Sequence, residues 1–88
     1  MEVKILQEDK DVIELELEGE THTLTNLIRK ELWNNKNTVF ASYNLKHPLV
    51  SHPILKVQTK SKPKKVILET IDDIKNQIKE LREKIKKL

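Results

Sequence analysis

The sequence has no cysteine, a single glycine and only three aromatic residues among its 88 positions. The absence of cysteine excludes a disulfide framework, a thiolate zinc site and a cysteine nucleophile. One glycine, Gly19, cannot build the glycine-rich loop that cradles phosphates in nucleotide-binding folds. We therefore expect neither a cofactor nor a bound metal.

The chain also lacks a long apolar run, and no stretch approaches the ~20 residues that a membrane span needs. Its N-terminus lacks the apolar core of a secretory signal. We therefore expect a cytoplasmic protein without membrane contact. The length predicts one domain over residues 1–88, with a core so thin that a partner chain is a common source of stability.

Charge is abundant but unevenly distributed. The chain carries 17 basic and 14 acidic residues, a net charge of +3. Residues 1–44 hold 5 basic and 9 acidic side chains, whereas residues 45–88 hold 12 basic and 5 acidic ones. Such a split is typical of a nucleic-acid-facing segment or of a solvated helix surface, so the location of the basic residues must decide between them.

Period-two alternation predicts four strands. Apolar and polar residues alternate briefly within residues 2–7, and residues 13–18 alternate strictly between aliphatic residues and glutamates. The second pattern predicts a strand with one apolar and one acidic face. Two further strands are predicted over residues 39–45 and 54–59, the latter with Leu55 and Val57 pointing inward.

A helix is predicted between the second and third strands, from an N-cap at Thr23 to about Asn35. Asparagines at its end tolerate the left-handed C-cap conformation. The apolar residues of this helix form one stripe, which consists of Leu24, Leu27, Ile28 and Leu32.

The strongest pattern is a long helix over residues 63–88 that begins at Pro63. Its apolar residues recur in steps of four and three along one seam, at Ile67, Ile71, Ile74, Ile78, Leu81, Ile85 and Leu88. This heptad seam folds back onto the chain's own sheet or packs against another chain. We favour another chain for at least part of it, because a typical strand offers only about 20 Å against about 36 Å of helix.

The predicted order of elements is therefore β-β-α-β-β-α. Short connections between the first two strands and between the last two favour antiparallel pairing. The fold class is α+β, with a four-stranded, mainly antiparallel sheet, two helices on one of its faces and a long C-terminal helix.

No set of residues points to catalysis. His22, His47 and His52 have no cysteine or close carboxylate at ligand spacing, so a structural or surface role is favoured over metal binding. The three glutamates of the second strand, Glu14, Glu16 and Glu18, favour a solvated face over a paired-carboxylate site. We therefore predict that the chain has no catalytic residues of its own.

A basic cluster lies at the break before the long helix and consists of Lys60, Lys62, Lys64 and Lys65. This composition favours a solvated linker, with a phosphate contact as the alternative. No aromatic residue interleaves with these lysines in the sequence, so stacking on nucleic-acid bases is not supported.

Three segments resemble one known family. Residues 20–29, Glu-Thr-His-Thr-Leu-Thr-Asn-Leu-Ile-Arg, resemble the acidic-x-His-Thr-Leu-Gly-Asn-Leu-Leu-Arg segment of the small alpha-like subunits of multisubunit RNA polymerases. Residues 39–43 resemble the Val-x-Phe-Ala-x-Tyr strand of that family, and residues 47–49 with 55–59 resemble its His-Pro-Leu loop and following strand. The segments follow one another in the order of that family, so the chain resembles the archaeal subunit L family, which is related to the N-terminal domain of the bacterial alpha subunit.

The resemblance implies a non-catalytic subunit of DNA-dependent RNA polymerase that forms a heterodimer with the larger alpha-like subunit, which is named D. The pair would be an assembly platform for the large catalytic subunits, and no direct DNA contact of this chain is expected. By the same resemblance, the partner interface would consist of Leu24, Leu27, Ile28, Leu32, Phe40, Ile71, Ile74, Ile78, Leu81 and Ile85. The family commonly has glycine where this chain has Thr25, and the added side chain predicts a slightly wider spacing between the first helix and its partner.

The residues by themselves leave two other functions open. One is a free nucleic-acid-binding module that uses the basic cluster. The other is a self-pairing coiled coil built on the heptad seam. Salt-sensitive binding of nucleic acid by the isolated chain would favour the first, and dimerisation of the isolated chain would favour the second.

Overall fold

The computed structural model describes residues 2–19, 22–44 and 52–88. Their elements are β1 (Glu2–Glu8), β2 (Val12–Glu18), α1 (His22–Leu32), β3 (Thr38–Asn44), β4 (Ile54–Thr59) and α2 (Pro63–Lys86). The predicted order and the α+β class are confirmed. Leu45 and the loop with His47 and Pro48 lie outside the described residues.

The four strands form one sheet in the order β1-β2-β4-β3, and every neighbouring pair is antiparallel. Ile13 of β2 lies opposite Val57 of β4, and Val57 lies opposite Ala41 of β3. Because side chains alternate between the two faces of a strand, this row defines one apolar face of the sheet. The glutamates of β2 lie on the other face.

Both helices cover this apolar face. The core is a cluster to which α1 contributes one residue, α2 two and the sheet the remaining four: Leu32, Val66, Ile67, Ile13, Ala41, Leu55 and Val57. All seven side chains are buried. The predicted arrangement of two helices on one face is therefore confirmed.

The two helices begin differently. Helix α1 begins at His22, so Thr23 lies inside the first turn and is not the N-cap that the sequence predicts. Helix α2 begins at Pro63, as predicted, after Lys62 in an extended conformation (φ −65°, ψ 121°). The ring of proline fixes φ near the helical value, and proline has no N–H to leave unsatisfied.

Helix α1 ends at Leu32, three residues before Asn35, in a tight turn. The N–H groups of Asn34 and Asn35 donate to the carbonyls of Glu31 and Leu32, each over 3.0 Å. The side-chain oxygen of Asn35 then accepts the N–H of Asn37 over 2.9 Å. Among the described residues, no residue other than glycine has a positive φ. The asparagines therefore end the helix, as predicted, but they do not do so through a left-handed cap.

Helix α2 has 24 residues and is interrupted throughout by charged side chains. In the part of the chain that the structure describes, no helix is both long and apolar enough to cross a membrane.

Candidate partner interface

An apolar groove of about 390 Å³ lies between the sheet and the two helices. The residues that line it include Val3, Leu15, Leu24, Ile28, Ile71 and Ile74, and Lys75 is the one charged residue of the lining. Protein interiors are normally close-packed, so side chains along an open groove lack contacts on one side. The apolar side chains that line the groove therefore have no packing partners on its open side.

The apolar stripe of α1 is divided between two environments. Leu32 is fully buried in the core, and Ile28 is half-buried against the same cluster. Leu24 lines the groove, and Leu27 is 42% exposed. The structure therefore does not support the expected contribution of Leu32 to the partner interface, because its side chain has no exposed surface to offer to another chain.

Thr25 lies on the same side of α1 as Leu32, two helical turns earlier, and is also fully buried. Its side chain therefore lies inside this chain. The expected effect of Thr25 on the distance between α1 and a partner is not supported, since the threonine fills space between α1 and the rest of its own fold.

The heptad seam of α2 changes environment along its length. Ile67 is buried, whereas Ile71 and Ile74 are half-buried beside the groove. The remaining seam residues are exposed: Ile78, Leu81 and Ile85 by 58–60% of their surface, and Leu88 fully. The first half of the seam thus packs on the chain's own sheet, and the second half projects with its apolar side uncovered.

The groove and the projecting half of the seam are continuous. Ile74 lines the groove, and Ile78 follows one helical turn later beside a shallow depression of about 300 Å³. A large uncovered apolar area of this kind is typical of a protein–protein interface. We call this area the helical surface, and it consists of Leu24, Leu27, Ile28, Ile71, Ile74, Ile78, Leu81 and Ile85.

Phe40 lies on the opposite face of the sheet from the helical surface. It pairs with Gln58, whereas the next residue, Ala41, is buried on the helix side. The Phe40 ring contacts Trp33 edge to face, with ring centroids 6.2 Å apart, and the Trp33 Nε1–H donates to the Ala41 carbonyl over 3.1 Å. Although Phe40 is 44% exposed, the structure does not bring it together with the other predicted interface residues.

Strand β1 adds apolar residues that the sequence analysis did not assign to a site. Val3 and Ile5 are 54% and 50% exposed, and with Leu68 of α2 they line a second groove of about 280 Å³. The alternation of Val3 and Ile5 with Lys4 is the available signal in the sequence. It predicts an apolar strand face, but alternation alone does not tell whether the chain covers that face itself.

The basic cluster does not converge on one site. Lys64 forms an ion pair with Glu8 of β1 over 3.1 Å, whereas Lys60 and Lys62 line a cleft that also contains Lys10 and Asp11. Exposed lysines near carboxylates are typical of a solvated surface, which agrees with a linker. A phosphate contact at these lysines stays a prediction.

On the outer face of the sheet, possible ligand atoms of Glu16, Glu18 and His52 lie within 4.8 Å of one another. Glu18 is bound to Lys4 over 2.7 Å, and this hydrogen bond lowers the pKa of the Glu18 carboxyl and raises the pKa of the Lys4 ammonium. The Nδ1 of His52 accepts the N–H of Gly19 over 3.4 Å. These contacts are an ion pair and a hydrogen bond at the protein surface, and such contacts are typical of a solvated face.

The fold and the helical surface define a class of protein, a small α+β interaction module that leaves part of its own core open. The sequence model of the RNA polymerase Rpb3/Rpb11 dimerisation domain matches residues 12–84 of the chain. The chain therefore belongs to the Rpb3/Rpb11 dimerisation domain family.

Individual relatives agree with this family. The chain is 39% identical over 90 residues to the DNA-directed RNA polymerase subunit Rpo11 of Saccharolobus solfataricus, with 100% of this chain and 98% of that protein covered. It is 42% identical over 77 residues to subunit Rpo11 of Saccharolobus islandicus, with 85% and 84% covered. The crystal structure of DNA-directed RNA polymerase subunit L from Thermoplasma acidophilum has the same fold, with a TM-score of 0.88 at 23% identity over 98% of this chain and 86% of that chain.

Proposed function

We propose that the chain serves as the small alpha-like subunit, in the role of subunit L, and that it forms a heterodimer with the larger alpha-like subunit. Membership of the Rpb3/Rpb11 family makes it a subunit of DNA-directed RNA polymerase. The whole chain acts as one dimerisation domain, and the heterodimer is an assembly platform for the large catalytic subunits in the cytoplasm. It supplies no catalytic residue, no cofactor and no direct DNA contact.

The observation that carries the proposal is the helical surface. Ile78, Leu81 and Ile85 are 60%, 58% and 58% exposed although they continue a seam that is buried at Ile67. Burial of apolar area is the main favourable term in association. A partner that fills the groove and covers the projecting seam would therefore gain stability for both chains.

The proposed interface differs from the one that the resemblance implies in three residues. Leu32 and Phe40 are omitted, because one is buried and the other lies on the opposite face of the sheet. Val3 of β1 is added, since it lines the same groove as Leu24 and Ile74. The remaining members are those of the helical surface.

The test is co-expression of the chain with the larger alpha-like subunit, followed by affinity capture of that subunit. Ile78→Asp or Leu81→Asp would place an unpaired carboxylate in the interface, a change that costs several kcal/mol. We expect binding to weaken more than about 100-fold, so that capture is lost. Normal co-purification of either variant would refute the proposed interface.

A matched control distinguishes a lost interface from a lost fold. Lys79→Asp introduces the same side chain one residue after Ile78, on the side of α2 away from the seam. This variant is expected to co-purify normally. Circular dichroism of each isolated variant is expected to match the parent chain, because position 78 is already exposed there.

A further inference from the structure

On the projecting half of α2 the acidic side chains lie on one side of the helix, whereas basic side chains occur on all sides of it. Residues 75–88 contain six basic and two acidic side chains. With about 100° between successive residues, Arg82 and Lys84 flank the heptad seam on opposite sides. Glu80 and Glu83, the two acidic residues of this half, both lie towards the back of the helix.

The basic flank extends along the seam. Lys75 takes the same heptad position as Arg82 one repeat earlier, and it is the charged residue that lines the apolar groove. Arg82 lines the shallow depression beside Ile78 and Ile85. The groove and the projecting seam are therefore bordered by positive charge and by no carboxylate of α2 within residues 75–88.

The contacts of these flanking groups within the chain are weak. Lys84 binds Glu80 over 3.2 Å, but both side chains are more than 60% exposed. An exposed i,i+4 pair is easily exchanged for another partner. For Arg82, the described part of the chain offers no carboxylate within ion-pair distance. These cations are available to the chain that covers the seam.

We infer that the occupant of the seam is an amphipathic helix of the partner subunit whose own apolar residues are flanked by carboxylates, and that Lys75, Arg82 and Lys84 select it. This inference rests on the proposed function and specifies the chemistry of its partner. Charge complementarity beside an apolar seam fixes the choice and orientation of a helical partner. An uncharged or basic helix would fill the seam equally well but would lack these pairs.

The same charges disfavour a second copy of this chain. In a parallel pair the flanking position Gln77 of one helix would face Arg82 of the other, which brings no opposite charges together. In an antiparallel pair basic flanks would face basic flanks. Like charges across an interface suppress the wrong partner, so the flanks favour a heterodimer over self-pairing.

The test compares two charge-reversed variants in complex with the larger alpha-like subunit. Arg82→Glu/Lys84→Glu reverses the flanks, and Lys79→Glu/Lys87→Glu makes the same change in net charge on the back of the helix. At about 0.1 M salt we expect the first variant to bind about 10-fold more weakly or worse, and the second to change less than about 3-fold. The difference should shrink in about 1 M salt, where the Debye length is about 3 Å. Equal affinities for the two variants at low salt would overturn the inference while leaving the heterodimer intact.

A second probe makes the result independent of the larger alpha-like subunit. Two synthetic helices of about three heptads, with isoleucine and leucine in the seam, carry either glutamate or lysine at the flanking positions. The full-length chain is expected to bind the glutamate helix at least about 10-fold more tightly, and Arg82→Glu/Lys84→Glu is expected to reverse that preference. Equal binding of both helices, or self-association tighter than binding of the glutamate helix, would overturn the inference even if the larger alpha-like subunit binds. Preference for the glutamate helix without binding of that subunit would support it and refute the proposed heterodimer.

Discussion

Gln77 of α2 donates a hydrogen bond from its side-chain nitrogen to the carboxylate of Glu31 on α1 over 2.8 Å. The bond joins the two helices close to the place where α2 leaves the domain, since Ile74 is half-buried and Ile78 is 60% exposed. It therefore marks a division between residues that hold the chain's own fold together and residues that are available to a partner. Substitutions on either side of this division should affect different measurements.

Two leucines of α1 test this division with the same chemical change. Leu32→Ala removes a fully buried side chain and is expected to lower the free energy of unfolding by about 2–5 kcal/mol. Leu27→Ala removes a side chain that is 42% exposed, and its effect on the unfolding of the isolated chain should stay below about 0.5 kcal/mol. Urea denaturation of both variants, followed by circular dichroism, measures the difference.

The loss of affinity for the larger alpha-like subunit should be greater for Leu27→Ala than for Leu32→Ala, the opposite of the order in stability. Leu27→Ala is expected to weaken the complex about 10-fold, because an interface side chain is truncated. Leu32→Ala should leave the affinity nearly unchanged under conditions where the variant is folded. Equal losses of stability in the two variants would contradict the division of the α1 stripe.

The helical period identifies the apolar arc of α1 but not the part of it that faces its own sheet. Leu24, Leu27, Ile28 and Leu32 satisfy one pattern, yet Leu32 is buried and Leu27 is exposed. The fully buried Thr25 is not a member of the predicted stripe, although it lies on the same side of α1 as Leu32. Which residues are covered depends on where α2 and β3 meet α1, and these contacts join distant parts of the sequence.

Sequence patterns were sufficient to predict those elements whose bounds depend on neighbouring residues. The alternation over residues 54–59 and the proline at position 63 predict β4 and the start of α2 at the bounds that the structure has. The position of β4 between β2 and β3 depends on pairing between distant residues, and the pattern does not specify it. The same holds for Phe40, whose face is set by its register with Gln58.

Trp33 is expected to stabilise the outer edge of the sheet. Its indole N–H donates to the Ala41 carbonyl over 3.1 Å, and its ring meets Phe40. Trp33→Phe retains an aromatic ring but removes the donor, and we expect a loss of about 0.5–1.5 kcal/mol in the free energy of unfolding. Phe40→Leu is the matched variant, because it retains the hydrogen bond and removes the ring contact. If urea denaturation shows an unchanged stability of Trp33→Phe, the prediction is wrong, because water then satisfies the Ala41 carbonyl as well as the indole N–H does.

Thr25→Gly introduces the residue that the resembled family commonly has at this position. Because Thr25 is fully buried inside the chain, we expect the isolated protein to lose about 1–2 kcal/mol through the lower helix propensity of glycine and the lost packing. Affinity for the larger alpha-like subunit should change less than about 3-fold. Thermal unfolding and a binding titration measure the two effects, and a tighter complex with unchanged stability would place Thr25 in the interface instead.

The ion pair between Lys4 and Glu18 predicts opposite pH dependences at the two ends of the pH scale. The Lys4 ammonium lowers the pKa of Glu18 from its ordinary value of 4.5, so the stabilisation from this carboxylate is present above pH 4.5 and is lost as the pH falls through the lower value of the folded state. Glu18 raises the pKa of Lys4 above 10.5, so the stabilisation from the ammonium is present below pH 10.5 and is lost as the pH rises through the higher folded value. The effect is small because both groups are accessible to water. Stability curves of the parent chain and Glu18→Gln should therefore converge as the pH falls through the lowered pKa of Glu18 in the folded state. In a Lys4→Met background, Glu18→Gln should no longer produce this acid-dependent difference. A difference of the same size in both backgrounds would show that Glu18 gains its pH dependence from a group other than Lys4.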